Sequence, residues 1–148
     1  MLHEYQNHMA SRAALGLPAL PLSAEQTAEL VVLLKNPSTE HTPFLLDLFA
    51  QRVPAGVDHA AYVKAAFLAD VAREAVHCPA LSPYDAIRLL GTMLGGYNVA
   101  VLVELLDTAQ GEYAAAELKH TILIFDAFHD VTEKAQAGNR HAQAVLTA

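Results

Sequence analysis

The sequence has 148 residues, a length at which one domain buries a sizeable core without a disulfide or metal to hold it together. Its formal net charge is -7, from 9 Lys and Arg against 16 Asp and Glu, and the basic residues are scattered, so we expect no direct nucleic-acid binding. The only cysteine is Cys78, which excludes an intramolecular disulfide and a zinc site made of thiolates.

Nothing in the sequence predicts export or membrane insertion. The first residues lack the basic segment and apolar run of a secretory signal. The longest uncharged stretch, between Arg88 and Glu104, contains three glycines and is shorter than the roughly 18 apolar residues of a membrane span. We therefore expect a soluble protein of the reducing cytoplasm that makes no contact with a membrane.

The composition is apolar for such a protein. Hydrophobic residues make up 53% of the chain and charged residues 17%, against about 25% charged in an ordinary soluble domain. Two explanations stay open at this point. Either the core is unusually rich in alanine, or a partner covers one outer face.

Apolar residues recur at helical spacing along almost the whole chain, and no segment alternates as a strand would. The first predicted helix runs from about Leu2 to Leu15 and ends at Gly16. A capping box of Ser23 and Gln26 starts the second helix. The fold class is therefore predicted to be all-α.

Similar signals mark the helices in the middle of the chain. Thr42 and Pro43 are typical of an N-cap and a first helical residue. Asp58 is expected to cap a long fourth helix that ends before Pro79, and Ser82 to open the fifth.

Further helical segments complete the prediction. The sixth starts near Asn98 and is so apolar that we expect it at the centre of the domain. A seventh covers about Glu112 to Phe125, the chain stays helical to about Gly138, and a last helix begins after Asn139.

Helices of roughly 10 to 18 residues joined by short Pro and Gly turns are typical of antiparallel helix pairs. We expect one domain over residues 1–148, either a HEAT-like α-solenoid or an irregular helical bundle. The spacing of apolar residues does not separate these two architectures.

The segment between the fifth and sixth helices is a candidate site, which we interpret as a structural turn. Gly95 or Gly96 is predicted to take a left-handed C′ position that ends the fifth helix. Tyr97 would pack its ring back onto the domain, and Asn98 would cap the sixth helix. Because these glycines do not follow a strand, they do not indicate a phosphate-binding loop.

Two predicted helix faces carry carboxylates and imidazoles three or four residues apart. They are Asp70, Glu74 and His77 in the first face and Asp126, His129, Asp130 and Glu133 in the second. Such faces are either metal ligands or the solvated stripe of an amphipathic helix. We favour the stripe, because a metal site needs ligands that converge from several elements. We therefore expect no catalytic, cofactor-binding or metal-binding residue in this chain.

The last predicted helix is a candidate interface. Ala142, Val145 and Leu146 form an apolar stripe, and the sequence stops at Ala148 without a helix stop signal. A helix of about nine residues is marginal alone, so we expect it to dock or to be completed by further chain. On this interpretation the chain is the front end of a longer architecture, or a separate copy of one, and its partner is a protein.

Four sequence blocks cover most of the chain. They are LGLPALPLSAEQTAELVVLLKNP from Leu15, FLLDLFAQRVPAGVDHAAYVKAAFLADVA from Phe44, AIRLLGTMLGGYN from Ala86 and HTILIFDAFHDVTEKAQAGN from His120. In this order the blocks resemble the N-terminal domain of the aconitate hydratase B family.

The resemblance implies a HEAT-like domain placed ahead of the catalytic domains of a hydro-lyase of the tricarboxylic acid cycle. Its implied roles are protein–protein contact with those domains or self-association, and shaping of access to the active site. The family's 4Fe–4S cluster is implied to sit on three cysteines of later domains, which Cys78 alone does not supply. The alternative is a separate small protein with its own binding or lyase role.

Overall fold

The computed structural model describes every residue except Pro37, Thr39, Ile122 and Ile124, and describes Phe125 by its backbone alone. This part of the chain forms nine α-helices and no β-sheet, which confirms the all-α prediction. The helices are α1 (Leu2–Ala14), α2 (Ala24–Lys35), α3 (Thr42–Gln51), α4 (His59–Ala72), α5 (Pro83–Gly91), α6 (Val99–Leu105), α7 (Gly111–Leu118), α8 (Phe125–Gln136) and α9 (Arg140–Leu146). Among the described helices, none has the length and apolar character needed to cross a membrane.

Side chains that stand next to each helix in sequence set several of the helix starts. The Ser23 hydroxyl accepts a hydrogen bond from the Gln26 N–H at 3.1 Å, and the Gln26 side chain accepts one from the Ser23 N–H at 2.9 Å. Ser82 and Asp85 form a second capping box at α5, and Asp58 caps α4. Each of these caps stabilises its helix by about 1 kcal/mol.

The start of α3 differs from the prediction by one residue. His41, not Thr42, occupies the N-cap position, and its side chain makes no capping bond. The Thr42 hydroxyl instead donates a hydrogen bond to the Ser38 carbonyl at 2.8 Å. Thr42 is therefore the first helical residue, and Pro43 follows it in the first turn.

Helix α4 ends earlier than predicted because the chain turns at Glu74, which has a φ of 61°. The Ala75 N–H donates to the Asp70 carbonyl at 2.9 Å, and the Glu74 N–H donates to the Val71 carbonyl at 3.0 Å. These two bonds form a Schellman motif, in which the left-handed position usually belongs to glycine. Nothing in the local sequence marks this turn.

The unusual residue at this turn gives a first prediction. Glu74→Gly should raise the free energy of unfolding by about 1 kcal/mol, because glycine adopts a left-handed φ without the strain that a Cβ brings. Urea unfolding followed by circular dichroism measures the change. Glu112→Gly, at an exposed position in α7, is the control and should lower stability instead. A loss of stability in Glu74→Gly would contradict the strain argument.

From α2 onward, the helices pack as successive pairs. Contacts join α2 to α3, α4 to α5, α6 to α7 and α8 to α9, and neighbouring pairs meet through α2–α4, α5–α7, α6–α8 and α7–α9. A pair that packs mainly on the next pair along the chain is typical of an α-solenoid. Helix α6 is buried on most sides, as predicted, through Val101, Leu102, Val103 and Leu105 among others. Its predicted place at the centre of the domain stays a prediction.

Candidate functional site

The segment between α5 and α6 contains the predicted turn residues. Helix α5 ends at Gly91 with Thr92 at its C-cap, so the predicted C′ position of Gly95 or Gly96 is wrong. The Thr92 hydroxyl donates to the Leu89 carbonyl at 2.7 Å, so the helix ends before Gly95 and Gly96. Both glycines nevertheless have a φ of +95°, a conformation that L side chains rarely adopt.

Gly95 lies directly against the loop between α3 and α4. A Cβ on Gly95 would stand 2.6 Å from the Gly56 Cα and would overlap its carbonyl group. In the same place the Tyr97 hydroxyl donates to the Val57 carbonyl at 3.2 Å, and its ring meets Tyr62 edge-on at 5.5 Å. The two loops are therefore held together at one edge of the domain.

Asn98 joins the two helices in a way that differs from the prediction. It occupies the N-cap position of α6, but its φ and ψ are helical and its side chain makes no capping bond. The buried amide nitrogen Nδ2 donates instead to the Leu90 carbonyl at 2.7 Å and the Met93 carbonyl at 3.3 Å. Asn98 thus satisfies carbonyls at the end of α5 rather than amides at the start of α6.

The same segment forms one wall of an open cavity of about 560 Å³, which faces the first turns of α8. We call this cavity the acidic groove and define it by its apolar lining and its two carboxylates. The defining residues are Met93, Leu94, Val99, Val103, Asp126 and Asp130. Its members come from separate segments, so spacing in the sequence gives no signal that they meet.

The second acidic and imidazole face lies on α8, as predicted, and its four members are exposed. The His129 Nε2 lies 3.3 Å from a carboxylate oxygen of Glu133. Asp126 and Asp130 stand one turn apart and line the acidic groove. The face therefore divides into a pair on the open surface and a pair at the groove.

The first predicted face does not exist as a helix face. Helix α4 ends at Ala72, so Asp70 is helical, whereas Glu74 forms the turn and His77 lies beyond it. Within the described residues, no three or more His, Cys, Asp or Glu side chains are grouped as a metal site requires. The expectation that the chain binds no metal stays a prediction.

Cys78 and Lys64 are reactive residue types that the fold buries. The Cys78 Sγ donates to the Leu34 carbonyl at 3.2 Å, which gives the buried thiol a structural position against the end of α2. The Lys64 side chain is 5% exposed, and its ammonium group lies 3.3 Å from the Ala50 carbonyl and 5.5 Å from the Phe49 ring centre. Burial lowers the pKa of Lys64 to about 8.

The predicted interface residues of the last helix have different surroundings. Ala142 and Val145 are buried in the core, whereas the Leu146 side chain is 39% exposed. Asn139 fixes the start of α9 by accepting hydrogen bonds from the His141 and Ala142 N–H groups at 2.9 Å. Only Leu146 of the three is left to meet a partner, and its role there stays a prediction.

Polar groups in the turn after α6 also hold α8 and α9 in place. The Asn139 amide donates to the Leu106 carbonyl at 3.0 Å and to an Asp107 oxygen at 2.8 Å, and Asp107 also pairs with Lys134. The hydrogen bond from Lys134, with that from Asn139, holds the pKa of Asp107 below its usual range. This network ties the helix that carries Asp126 and Asp130 to the turn after α6.

Helix pairs that contact one another in succession, with an open cavity beside the α5–α6 segment, make the described part of the chain an all-α domain. Comparison with known families identifies it further. The family model described as the aconitate B N-terminal domain matches residues 4–148. The chain belongs to this family, which confirms the resemblance seen in the sequence blocks.

The chain spans about one sixth of the length of the curated relatives it matches. Aconitate hydratase B of Pseudomonas aeruginosa is 55% identical over 147 residues, and that of Escherichia coli K12 is 54% identical over 147 residues. In both cases the match covers 99% of this chain and 17% of the relative. Aconitate hydratase B of Helicobacter pylori is 38% identical over 98% of this chain. The chain thus corresponds to about one sixth of each relative.

Proposed function

We propose that this chain is a non-catalytic, HEAT-like interaction domain of the aconitate hydratase B family. Its role is to contact the catalytic domains or a second copy of itself and to shape access to the active site of a citrate/isocitrate hydro-lyase. The observation that carries the proposal is a family match over residues 4–148 in a chain that spans 17% of its relatives. The stacking of successive helix pairs supports it, because solenoids present extended binding surfaces.

The chemistry of the side chains agrees with a role in packing and contact. A 4Fe–4S cluster is held by cysteine thiolates, and the single Cys78 is buried with its Sγ on a backbone carbonyl. The residues of this chain do not fit that cluster, so we propose that the chain holds no cofactor and carries no catalytic step. A free buried thiol also fits the reducing cytoplasm, where we place the protein.

An activity assay separates this role from that of a small lyase. The purified chain, with and without iron and sulfide reconstitution, should hydrate aconitate no faster than a buffer control. The control for the assay is full-length aconitate hydratase B of Pseudomonas aeruginosa reconstituted in the same way. Turnover by the isolated chain that is lost in Asp126→Asn or His129→Ala would establish the lyase role instead.

An association assay tests the interaction role directly. The chain should bind the part of the Pseudomonas aeruginosa enzyme that follows the matched segment, and binding should slow hydrogen exchange over residues 140–148. Leu146→Ser should weaken this association, because the Leu146 side chain is the exposed member of the predicted interface. Exchange over residues 140–148 that is already slow in the isolated chain and does not change would refute a vacant interface there.

A further inference from the structure

We propose that the acidic groove binds a basic segment of a partner polypeptide through apolar side chains that enter the cavity and cations that meet Asp126 and Asp130. This proposal names the surface and the partner chemistry of the interaction role, and it rests on that role. It requires an apolar floor, a negative rim without neutralising cations, and more apolar surface than a small ligand covers.

The floor of the groove is apolar and well supported. Val99 and Val103 lie buried on α6, and Met93 is half-buried beside them. Leu94 stands at the rim with 68% of its side chain exposed. A cavity of about 560 Å³ is within the range of specific ligand pockets and has room for several apolar side chains.

The rim carries uncompensated negative charge. Asp126 and Asp130 are exposed and stand four residues apart on α8, a spacing at which like charges destabilise a helix. Neither carboxylate takes part in an ion pair with a described residue, and the described lining contains no Lys or Arg. Lys134, on the same helix, is engaged by Asp107. A cation from a partner would therefore relieve the repulsion, and among the described lining residues only the imidazole of His120 could compete with it.

Exposed apolar surface continues beyond the cavity. The contact between Gly95 and Gly56 brings the α3–α4 loop to the edge of the groove, and Val57 in that loop is 76% exposed. Tyr62, 52% exposed, packs on Tyr97 in the same place, and tyrosine is enriched at protein interfaces. A small organic cation would cover only the cavity, whereas a polypeptide segment would cover both the cavity and the exposed surface at Val57 and Tyr62.

Peptide binding to the ¹⁵N-labelled chain tests the proposal. The probes are two synthetic peptides of equal length, one of alternating lysine and leucine and one of alternating glutamate and leucine, at about 100 mM salt. The lysine peptide should shift the amide signals of Gly95, Gly96 and Ala127, and the glutamate peptide should not. Asp126→Asn with Asp130→Asn should weaken binding of the lysine peptide roughly tenfold, because two charge-assisted contacts are lost.

A matched variant distinguishes the effect of the groove carboxylates on peptide binding from the effect of the protein's overall negative charge. Asp47→Asn with Asp70→Asn changes the net charge equally at exposed positions outside the groove, and it should leave the affinity unchanged. Equal weakening by both double variants, or peptide-induced shifts that avoid the groove, would overturn the proposal. Octylammonium that binds as tightly as the peptide would overturn the choice of a polypeptide. A chain dimer that dissociates in Asp126→Asn with Asp130→Asn would assign the groove to a second copy.

The outcome of the peptide test does not depend on the outcome of the association assay that tests the proposed function. A chain that associates with the rest of the Pseudomonas aeruginosa enzyme but fails the peptide test keeps its interaction role and loses this groove as the surface. Peptide binding at the groove of a chain that does not associate with that enzyme would refute the proposed function alone.

Discussion

Gly95→Ala should lower the free energy of unfolding by about 2–4 kcal/mol, one of the largest effects expected for a single added methyl group in this domain. The left-handed φ of +95° accounts for about 1 kcal/mol of this loss. The rest arises because the new Cβ would overlap the backbone of Gly56, which has no flexible side chain that moves away. Urea unfolding measures the change.

Two other glycines separate these contributions. Gly96 shares the φ of +95°, and Gly56 has a φ of +83°, but a Cβ at either position meets nothing within 4 Å. Gly96→Ala and Gly56→Ala should therefore each cost only about 1 kcal/mol. Losses of equal size in Gly95→Ala and Gly96→Ala would show that the two loops separate freely, and that their contact does not fix the wall of the acidic groove.

The sequence predicts those parts of the fold that depend on residues a few positions apart. The capping box of Ser23 with Gln26 and the helix start at Ser82 are predicted correctly, because each depends on residues three or fewer positions apart in the chain. The ends of α4 and α5 are not predicted correctly. Glu74 takes a position that usually belongs to glycine, and Thr92 ends its helix with a hydrogen bond from its side chain. Part of the predicted seventh helix, over Ile122 and Ile124, lies outside the described residues.

The candidate site is less predictable than the fold, for a physical reason. Gly95, Asp126 and Asp130 are each noted in the sequence, but separately, and the acidic groove exists only because the chain returns α8 to the α5–α6 segment. Lys64 is missed altogether. Its signal is an isolated lysine in an apolar helical run, together with Pro54 four residues after Ala50.

Lys64 takes the place of a missing backbone donor. The Ala50 carbonyl stands near the end of α3, and the residue four positions later is Pro54, which has no N–H to give it. The Lys64 ammonium group donates to this carbonyl from α4, but it does so while buried. The described residues provide Lys64 with no carboxylate at ion-pair distance, so its charge is poorly compensated.

Stability should therefore rise with pH between about 8 and 10. The pKa of Lys64 is about 8 in the folded chain and near its ordinary value of 10.5 in the unfolded chain, so the unfolded state binds more protons in this window. A group with a lowered folded-state pKa of this kind destabilises the fold while it is charged. The gain in the free energy of unfolding from pH 7 to pH 10 should be about 2 kcal/mol. Above pH 10 Tyr5 opposes this trend, because burial raises its pKa and the folded state then retains its proton.

Lys64→Met should remove this pH dependence. It should also be more stable than the unsubstituted chain at pH 7 by about 1–2 kcal/mol, since the relief of a buried charge exceeds the loss of one hydrogen bond to Ala50. Urea titrations at pH 7, 8, 9 and 10 measure both effects. Lys119→Met, at an exposed position, is the control and should keep the rise intact. The interpretation would be contradicted if Lys64→Met were less stable at pH 7 and its free energy of unfolding rose with pH as steeply as before. The contacts of the ammonium group with the Ala50 carbonyl and the Phe49 ring would then outweigh its desolvation, and the lysine would be a net stabiliser of the α3–α4 junction.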